Sequence, residues 1–251
     1  MSSDNKLLNG KSVLVLGASR GVGREIVQRM SGAGAQVLAV ARTWHDPATN
    51  EERKFDCLAL NAASESAPGE AFKKMNPDVL VVCGGAMPPM RPIPELSWDE
   101  FTLNWEVDAK MAFLFCREAL RMPLAPGSVV IIVSSAAGLG GSPFGGGYSG
   151  AKRMTMFLAK SCQAESDRRE LGIRFVTLVS YGPMPETEHG QAAINGYARY
   201  FGIPAEKFVE SLVRRPTPSG VAQAVLDFAI ASPAEGGSIF TVSADGIAAA
   251  S

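Results

Sequence analysis

The chain has 251 residues, 46% of them apolar and 20% charged, with a formal net charge of −1. That length and apolar share allow a sizeable core and exclude intrinsic disorder, and the near-neutral balance leaves no electrostatic footprint for nucleic acid. Two histidines (His45, His189) and four scattered cysteines (Cys57, Cys83, Cys116, Cys162) lack metal-ligand spacing, which argues against a metal site or a histidine-based triad and for reduced thiols in a cytoplasmic protein.

In chain order, a polar tail of about residues 1–10 lacks the apolar region of a secretory signal. "SVLVLG" (Ser12–Gly17) is a continuous, branched apolar run, as expected of a strand buried on both faces. "REIVQRM" then puts Ile26, Val27 and Met30 on one helical face. Further strands are expected at Gln36–Ala41, Cys57–Asn61, Asp78–Gly85, Ser128–Ser135, Ile173–Ser180 and, last, Ser238–Ser243. Helices are expected over Trp98–Leu120, Ser149–Leu171 and Pro218–Ala231. The polar connection Arg42–Phe55 leaves little room for a helix. The pairs Arg168-Arg169 and Arg214-Arg215 read as solvated helix ends. No apolar run is long enough to span a membrane. Alternation of this kind predicts an α/β fold in one domain, a doubly wound, mostly parallel sheet with helices on both faces.

Between the first strand and helix stands "GASRGVG" (Gly17–Gly23). Glycines there allow a tight turn and close approach of backbone N–H groups to a pyrophosphate at the helix N-terminus. The candidate dinucleotide contacts are Gly17, Ser19, Arg20, Gly21, Val22 and Gly23. No lysine followed by serine or threonine completes a nucleotide-triphosphate loop. An NAD site would offer a carboxylate at the end of the second strand, but this strand ends in Arg42 and Thr43. Arg20 and Arg42 suit a 2′-phosphate and point to NADP(H).

The glycine-rich stretch "SSAAGLGGSPFGGGYSGAK" (Ser134–Lys152) has chemistry at both ends. Tyr148 and Lys152, four apart, share a helix face, and a neighbouring ammonium favours a phenolate, so Tyr148 is a candidate acid/base. Ser135, thirteen residues earlier at the end of a buried strand, could hydrogen-bond a substrate oxygen as charge develops. Ser134 is its rival, but adjacent strand residues face opposite ways.

With these residues the sequence resembles the short-chain dehydrogenase/reductase family, of single-domain Rossmann type, over nearly its whole length. The resemblance implies that Ser135 polarises a carbonyl, Tyr148 moves the proton, and Lys152 holds the nicotinamide ribose and lowers the Tyr148 pKa. It implies cofactor contacts at Asn61, Ala62, Gly84, Gly85, Tyr148, Lys152, Gly182 and Thr187. The family's usual asparagine-rich loop after the fourth strand is here "VCGG" (Val82–Gly85), its Pro-Gly after the sixth is "YGP" (Tyr181–Pro183), and its terminal Asp-Gly-Gly is "DGI" (Asp245–Ile247). The asparagine of the family's fourth catalytic position aligns with Asp108, with Asn104 as the alternative, and the aspartate's charge would compete for Lys152.

The expected substrate pocket is built from the loops after the fourth, fifth and sixth strands, with Met87, Leu139, Phe144 and Met184 as candidate walls. An insert of about residues 184–215 carries Tyr197, Tyr200, Phe201 and Phe208 at helical spacing, which reads more readily as a packing face than as a ligand wall. Together these loops suit a hydrophobic ketone or secondary alcohol as the small-molecule substrate. The resemblance also implies a homo-oligomer, a dimer or tetramer, formed through the long helices near Asp108 and Tyr148. Two other readings are an NADP(H)-binding sensor or scaffold with little catalysis, and a dehydration or isomerisation on the same fold.

Overall fold

The computed structural model describes residues 7–44, 54–231 and 239–250. Among the described residues, eight strands form one sheet: β1 (Ser12–Leu16), β2 (Gln36–Ala41), β3 (Asp56–Ala59), β4 (Val79–Val82), β5 (Val129–Ser135), β6 (Arg174–Ser180), β7 (Ile239–Ser243) and β8 (Gly246–Ala249). Their spatial order is β3-β2-β1-β4-β5-β6-β7-β8, and the pairs are parallel except β7 with β8. The chain winds outward from β1 to β3, then returns to β4 on the other side of β1. That reversal opens a crevice between the C-terminal ends of β1 and β4.

Alternation along the strands feeds two cores. Val13 and Val15 pack on one face with Ile26, Val27 and Met30 of α1 (Gly21–Gly32) and with Val221 and Val225 of α9 (Pro218–Ile230). Leu14 and Leu16 pack on the other, with Phe115 of α4 (Lys110–Arg121) and Ala159 of α6 (Gly146–Arg168). The strand residues here are apolar at every position because both faces are covered.

The long central helix is interrupted. α3 (Trp98–Asn104) starts at a capping box in which the Ser97 hydroxyl accepts the Glu100 N–H and the Glu100 carboxylate accepts the Ser97 N–H. A π-helical turn over Trp105–Ala109 then joins it to α4. Such turns shift the register of the residues they carry and are frequent at functional sites. Helix α6 begins three residues before the expected start, so Tyr148 lies within its first turn.

Elements not expected are α2 (Ala67–Lys74) and the single turn α5 (Ala137–Gly140), while the 184–215 insert, whose aromatic residues had helical spacing, forms α7 (Glu188–Phe201) and α8 (Ala205–Ser211). Strand β8 is a further addition, since Ser243 was expected to close the last strand. "DGI" supplies the tight turn into β8, with Gly246 at φ +112°. The expectation for the Arg42–Phe55 connection falls largely outside the described residues.

Candidate active site

The C-terminal ends of β1, β2, β4, β5 and β6 surround one cavity of about 870 Å³. All the candidate dinucleotide contacts line it: Gly17, Ser19, Arg20, Gly21, Val22 and Gly23, then Arg42, Thr43, Asn61, Ala62, Gly84, Gly85, Gly182 and Thr187. So do Ser135, Tyr148, Lys152 and Asp108, and the pocket candidates Met87, Phe144 and Met184.

Leu139, expected as a pocket wall, is the exception. It sits in the α5 turn, outside the cavity wall, with 39% of its surface exposed. The turn directs this side chain outward, and Ser142, Phe144 and Gly145 supply that wall instead.

The cradle at the β1 end has no room for side chains. Gly17 has φ +77°, and a Cβ there would come 2.3 Å from Gly84 Cα. The loops after β1 and β4 therefore meet backbone to backbone at the switch point. This leaves an open groove at the N-terminus of α1, the arrangement that accepts a dinucleotide's phosphates. The residues present thus fit the group.

Arg20 lies at the rim, where it ion-pairs with Glu188 at the start of α7. Arg42 is exposed at the end of β2. Thr187 is the N-cap of α7: its hydroxyl accepts the Gly190 N–H at 2.9 Å and donates to the Met184 carbonyl at 3.0 Å.

At the other end of the cavity, the two serines of β5 part company. The Ser134 hydroxyl is buried and donates to the Lys152 carbonyl at 3.0 Å, which secures the strand to α6. Ser135 accepts the Ala137 N–H at 3.3 Å and lies beside Tyr148. The Lys152 ammonium sits 5.5 Å from the Tyr148 ring centroid and 3.1 Å from Asp108 Oδ2.

Asp108 is 1% exposed and its second oxygen anchors the loop after β4, accepting the Ala86 N–H at 2.8 Å. Asn104, one turn before, donates to the Ala86 carbonyl at 2.8 Å and to Asp108 Oδ1 at 3.3 Å. The two residues weighed for the fourth position thus work together: Asp108 meets Lys152, and Asn104 braces Asp108 and the loop.

These contacts set the electrostatics. Burial presses the Lys152 value down, but Asp108 and Tyr148 outweigh it, so the ammonium is held charged well above its ordinary range. Burial pushes the Tyr148 phenol up. Lys152 and the Ser135 hydroxyl pull it back, Asp108 pushes further, and the net direction is upward. Lys152 thus acts in the expected sense and lowers the value, but burial outweighs it. Burial also raises the Cys83 thiol to about 11, so it stays protonated beside the cavity.

Three features of the site were given no role there from the sequence. His189, in the first turn of α7, packs its ring 5.2 Å from that of Tyr148. Tyr197 donates its hydroxyl to Ser142 at 3.0 Å and packs its ring 4.4 Å from Phe144. Arg214 and Arg215 line the cavity rim and pair with Asp245 and Glu186, so they are not helix ends. The aromatic stripe divides its duties: Tyr197 and Phe208 line the cavity, while Tyr200 and Phe201 are half exposed. Among the described residues no cluster of potential metal ligands occurs, and no helix is long and apolar enough to cross a membrane.

The sheet, its switch point and the cavity there define an α/β protein of the Rossmann type. The chain belongs to the short-chain dehydrogenase family, whose model, described as short chain dehydrogenase, matches residues 11–194. Among curated relatives it is 28% identical to an L-xylulose reductase of Mesocricetus auratus over 52% of this chain and 55% of that one. It is 29% identical to a 3beta-hydroxysteroid dehydrogenase of Mediterraneibacter gnavus over 60% and 59%. The chain thus spans somewhat over half the length of these relatives. A Vibriobactin-specific 2,3-dihydro-2,3-dihydroxybenzoate dehydrogenase of Vibrio cholerae matches more widely, 29% identical over 89% and 90%. Solved structures share the fold. A 3-ketoacyl-(acyl-carrier-protein) reductase from Brucella melitensis, complexed with NADH, superposes with a TM-score of 0.72 at 22% identity, covering 90% and 92%. A short chain dehydrogenase from Mycobacterium avium gives 0.76 at 20%, covering 98% and 86%.

Proposed function

We propose that the protein is an NADP(H)-dependent oxidoreductase that interconverts a carbonyl and a secondary alcohol on a hydrophobic small molecule. The observation that carries this is the convergence of Ser135, Tyr148 and the Lys152–Asp108 pair on the cavity that also holds the Gly17–Gly84 cradle. When bound, the dinucleotide supplies or accepts a hydride. The glycine loop at the start of α1 would hold its pyrophosphate, and Lys152 its nicotinamide ribose. Arg20 and Arg42 would hold a 2′-phosphate, Arg20 by leaving Glu188 for a dianionic partner.

The chain's own residues carry the proton. In reduction the Ser135 hydroxyl donates a hydrogen bond to the substrate carbonyl, and Tyr148, kept protonated at neutral pH, gives its phenolic proton to the same oxygen. Lys152 then stabilises the phenolate. Alcohol oxidation runs the proton the other way and needs the phenolate first, so it is favoured by alkali. Phe144, Phe208 and Met184 give the walls an apolar character that suits a hydrophobic substrate. The 184–215 insert serves as its substrate loop. The names of the relatives range from a sugar reductase to a steroid dehydrogenase, so the substrate is not carried over from any of them.

Four cysteines, none of them in a disulfide among the described residues, fit a cytoplasmic setting, and exposed Trp105, Phe113 and Phe157 on the central helices fit a homo-oligomeric contact. The test is direct. Tyr148→Phe should retain NADPH binding and lose at least ~100-fold in ketone-dependent NADPH consumption. Undiminished turnover by that variant would defeat the mechanism. Arg42→Ala should weaken NADPH roughly tenfold and NADH far less. Equal weakening of both would defeat the 2′-phosphate assignment.

A further inference from the structure

His189 is held in place by the chain around it. Thr187 caps the helix below it, and Gly190 beside it fits so closely under Met184 that a Cβ would come 1.8 Å from that carbonyl oxygen. The imidazole therefore sits on a fixed backbone, facing the Tyr148 ring at 5.2 Å on the cavity wall. Neither ring nitrogen has a hydrogen-bond partner among the described residues, although the side chain is mostly enclosed.

Burial and the Lys152 charge pull the imidazole down to about 4, against the opposing Asp108, with Arg20 adding to the drop. At neutral pH it is uncharged, with one nitrogen a donor and the other an acceptor. An imidazole on the cavity wall beside Tyr148, with neither nitrogen bonded to the protein, can donate to or accept from a bound molecule. Three of the other polar groups around Tyr148 are committed. Ser135 serves the carbonyl, Lys152 is paired to Asp108, and Tyr197 donates to Ser142.

We propose that His189 determines substrate choice by hydrogen-bonding a second oxygen next to the reacting carbon, so that the site takes α-hydroxy ketones or α-diketones and the corresponding vicinal diols. The imidazole packs against the Tyr148 ring on the cavity wall, so a substrate whose carbonyl oxygen meets Tyr148 and Ser135 would pass beside it. Its body lies against Phe144 and Phe208, consistent with an apolar skeleton bearing two adjacent oxygens. This rests on the reading of the cavity as a carbonyl–alcohol site.

The experiment compares matched probes. NADPH-loaded protein is titrated calorimetrically with a vicinal cyclohexanediol and with cyclohexanol, a dead-end complex that needs no turnover. Kinetics use α-hydroxycyclohexanone against cyclohexanone. The wild type should bind the diol at least ~10-fold more tightly, because a site built to hydrogen-bond an oxygen rejects the analogue that lacks it. His189→Phe, which keeps an aromatic ring and loses both hydrogen bonds, should erase that ratio. His189→Asn, which restores a donor and an acceptor, should recover much of it. The ratio of kcat/KM for the two ketones should move in parallel.

Equal binding of diol and alcohol by the wild type would overturn the proposal. So would a His189→Phe variant that keeps the diol ratio, or one that weakens NADPH as much as it weakens the diol. A persistent, His189-dependent diol preference with no reduction of either ketone would count against the reductase reading alone and leave the recognition by His189 standing.

Discussion

Asp108 and Lys152 form an ion pair that is almost wholly removed from water, 1% and 9% exposed at their side chains. Breaking such a pair by removing one partner leaves a buried charge alone and costs about 3–5 kcal/mol. Asp108→Ala should therefore destabilise the fold by that order in urea denaturation, whereas Asp108→Asn, which can still accept the Ala86 N–H, should cost less. The same aspartate pushes the Tyr148 phenol up. Removing its charge should shift the rise in alcohol oxidation with pH to lower pH, the direction in which a lowered phenol gives phenolate sooner. A profile that does not move would mean that Asp108 does not sense the tyrosine. His189 contributes at acid pH. Its value falls from 6.5 in the unfolded chain to about 4 in the fold, so the unfolded state binds more protons between these values. Stability should rise with pH across that window, by up to about 3 kcal/mol, and be fully present above 6.5. His189→Gln should flatten this part of the stability–pH curve.

At the level of elements, the strands were legible in the sequence for a physical reason. Val13 to Leu16 and Val129 to Val133 are apolar at successive positions because helices cover both faces, and their shortness and β-branched content mark them as strands. The glycine loop was legible because its spacing reflects a turn that side chains cannot enter. Helix α2 was not: "APGEAFKK" is eight residues long with proline and glycine in its first turn, too short for a period to emerge. Leu139 was misplaced because a loop of glycines carries no pattern that says which way a side chain points. His189 and Asn104 owe their places to α7 and the π-helical turn, and both depend on packing far along the chain. Helix α3 gives a local test. Ser97→Ala should cost about 1 kcal/mol in urea denaturation, since it removes the hydroxyl that accepts the Glu100 N–H.

For the whole molecule, the cavity joins parts with separate origins in the chain. The β1 and β4 loops form the cradle at the switch point, β5 and α6 bring Ser135, Tyr148 and Lys152, and the insert adds His189, Tyr197 and Phe208. The outer faces of α4 and α6 hold Phe113 and Phe157, exposed beneath Arg117 and Arg153. Phe157→Glu should lower the oligomeric state in sedimentation equilibrium if a second copy covers them, and an unchanged state would remove that contact. The central claim is that this cavity moves a hydride to a carbonyl while Tyr148 moves the proton. It is tested most directly by reducing a ketone with NADPH deuterated at the transferring position of the nicotinamide and weighing the product. Deuterium should appear on the carbinol carbon with the wild type and be almost absent with Tyr148→Phe. An unlabelled alcohol, or saturable NADPH binding with no alcohol from α-hydroxy or simple ketones, would contradict the account.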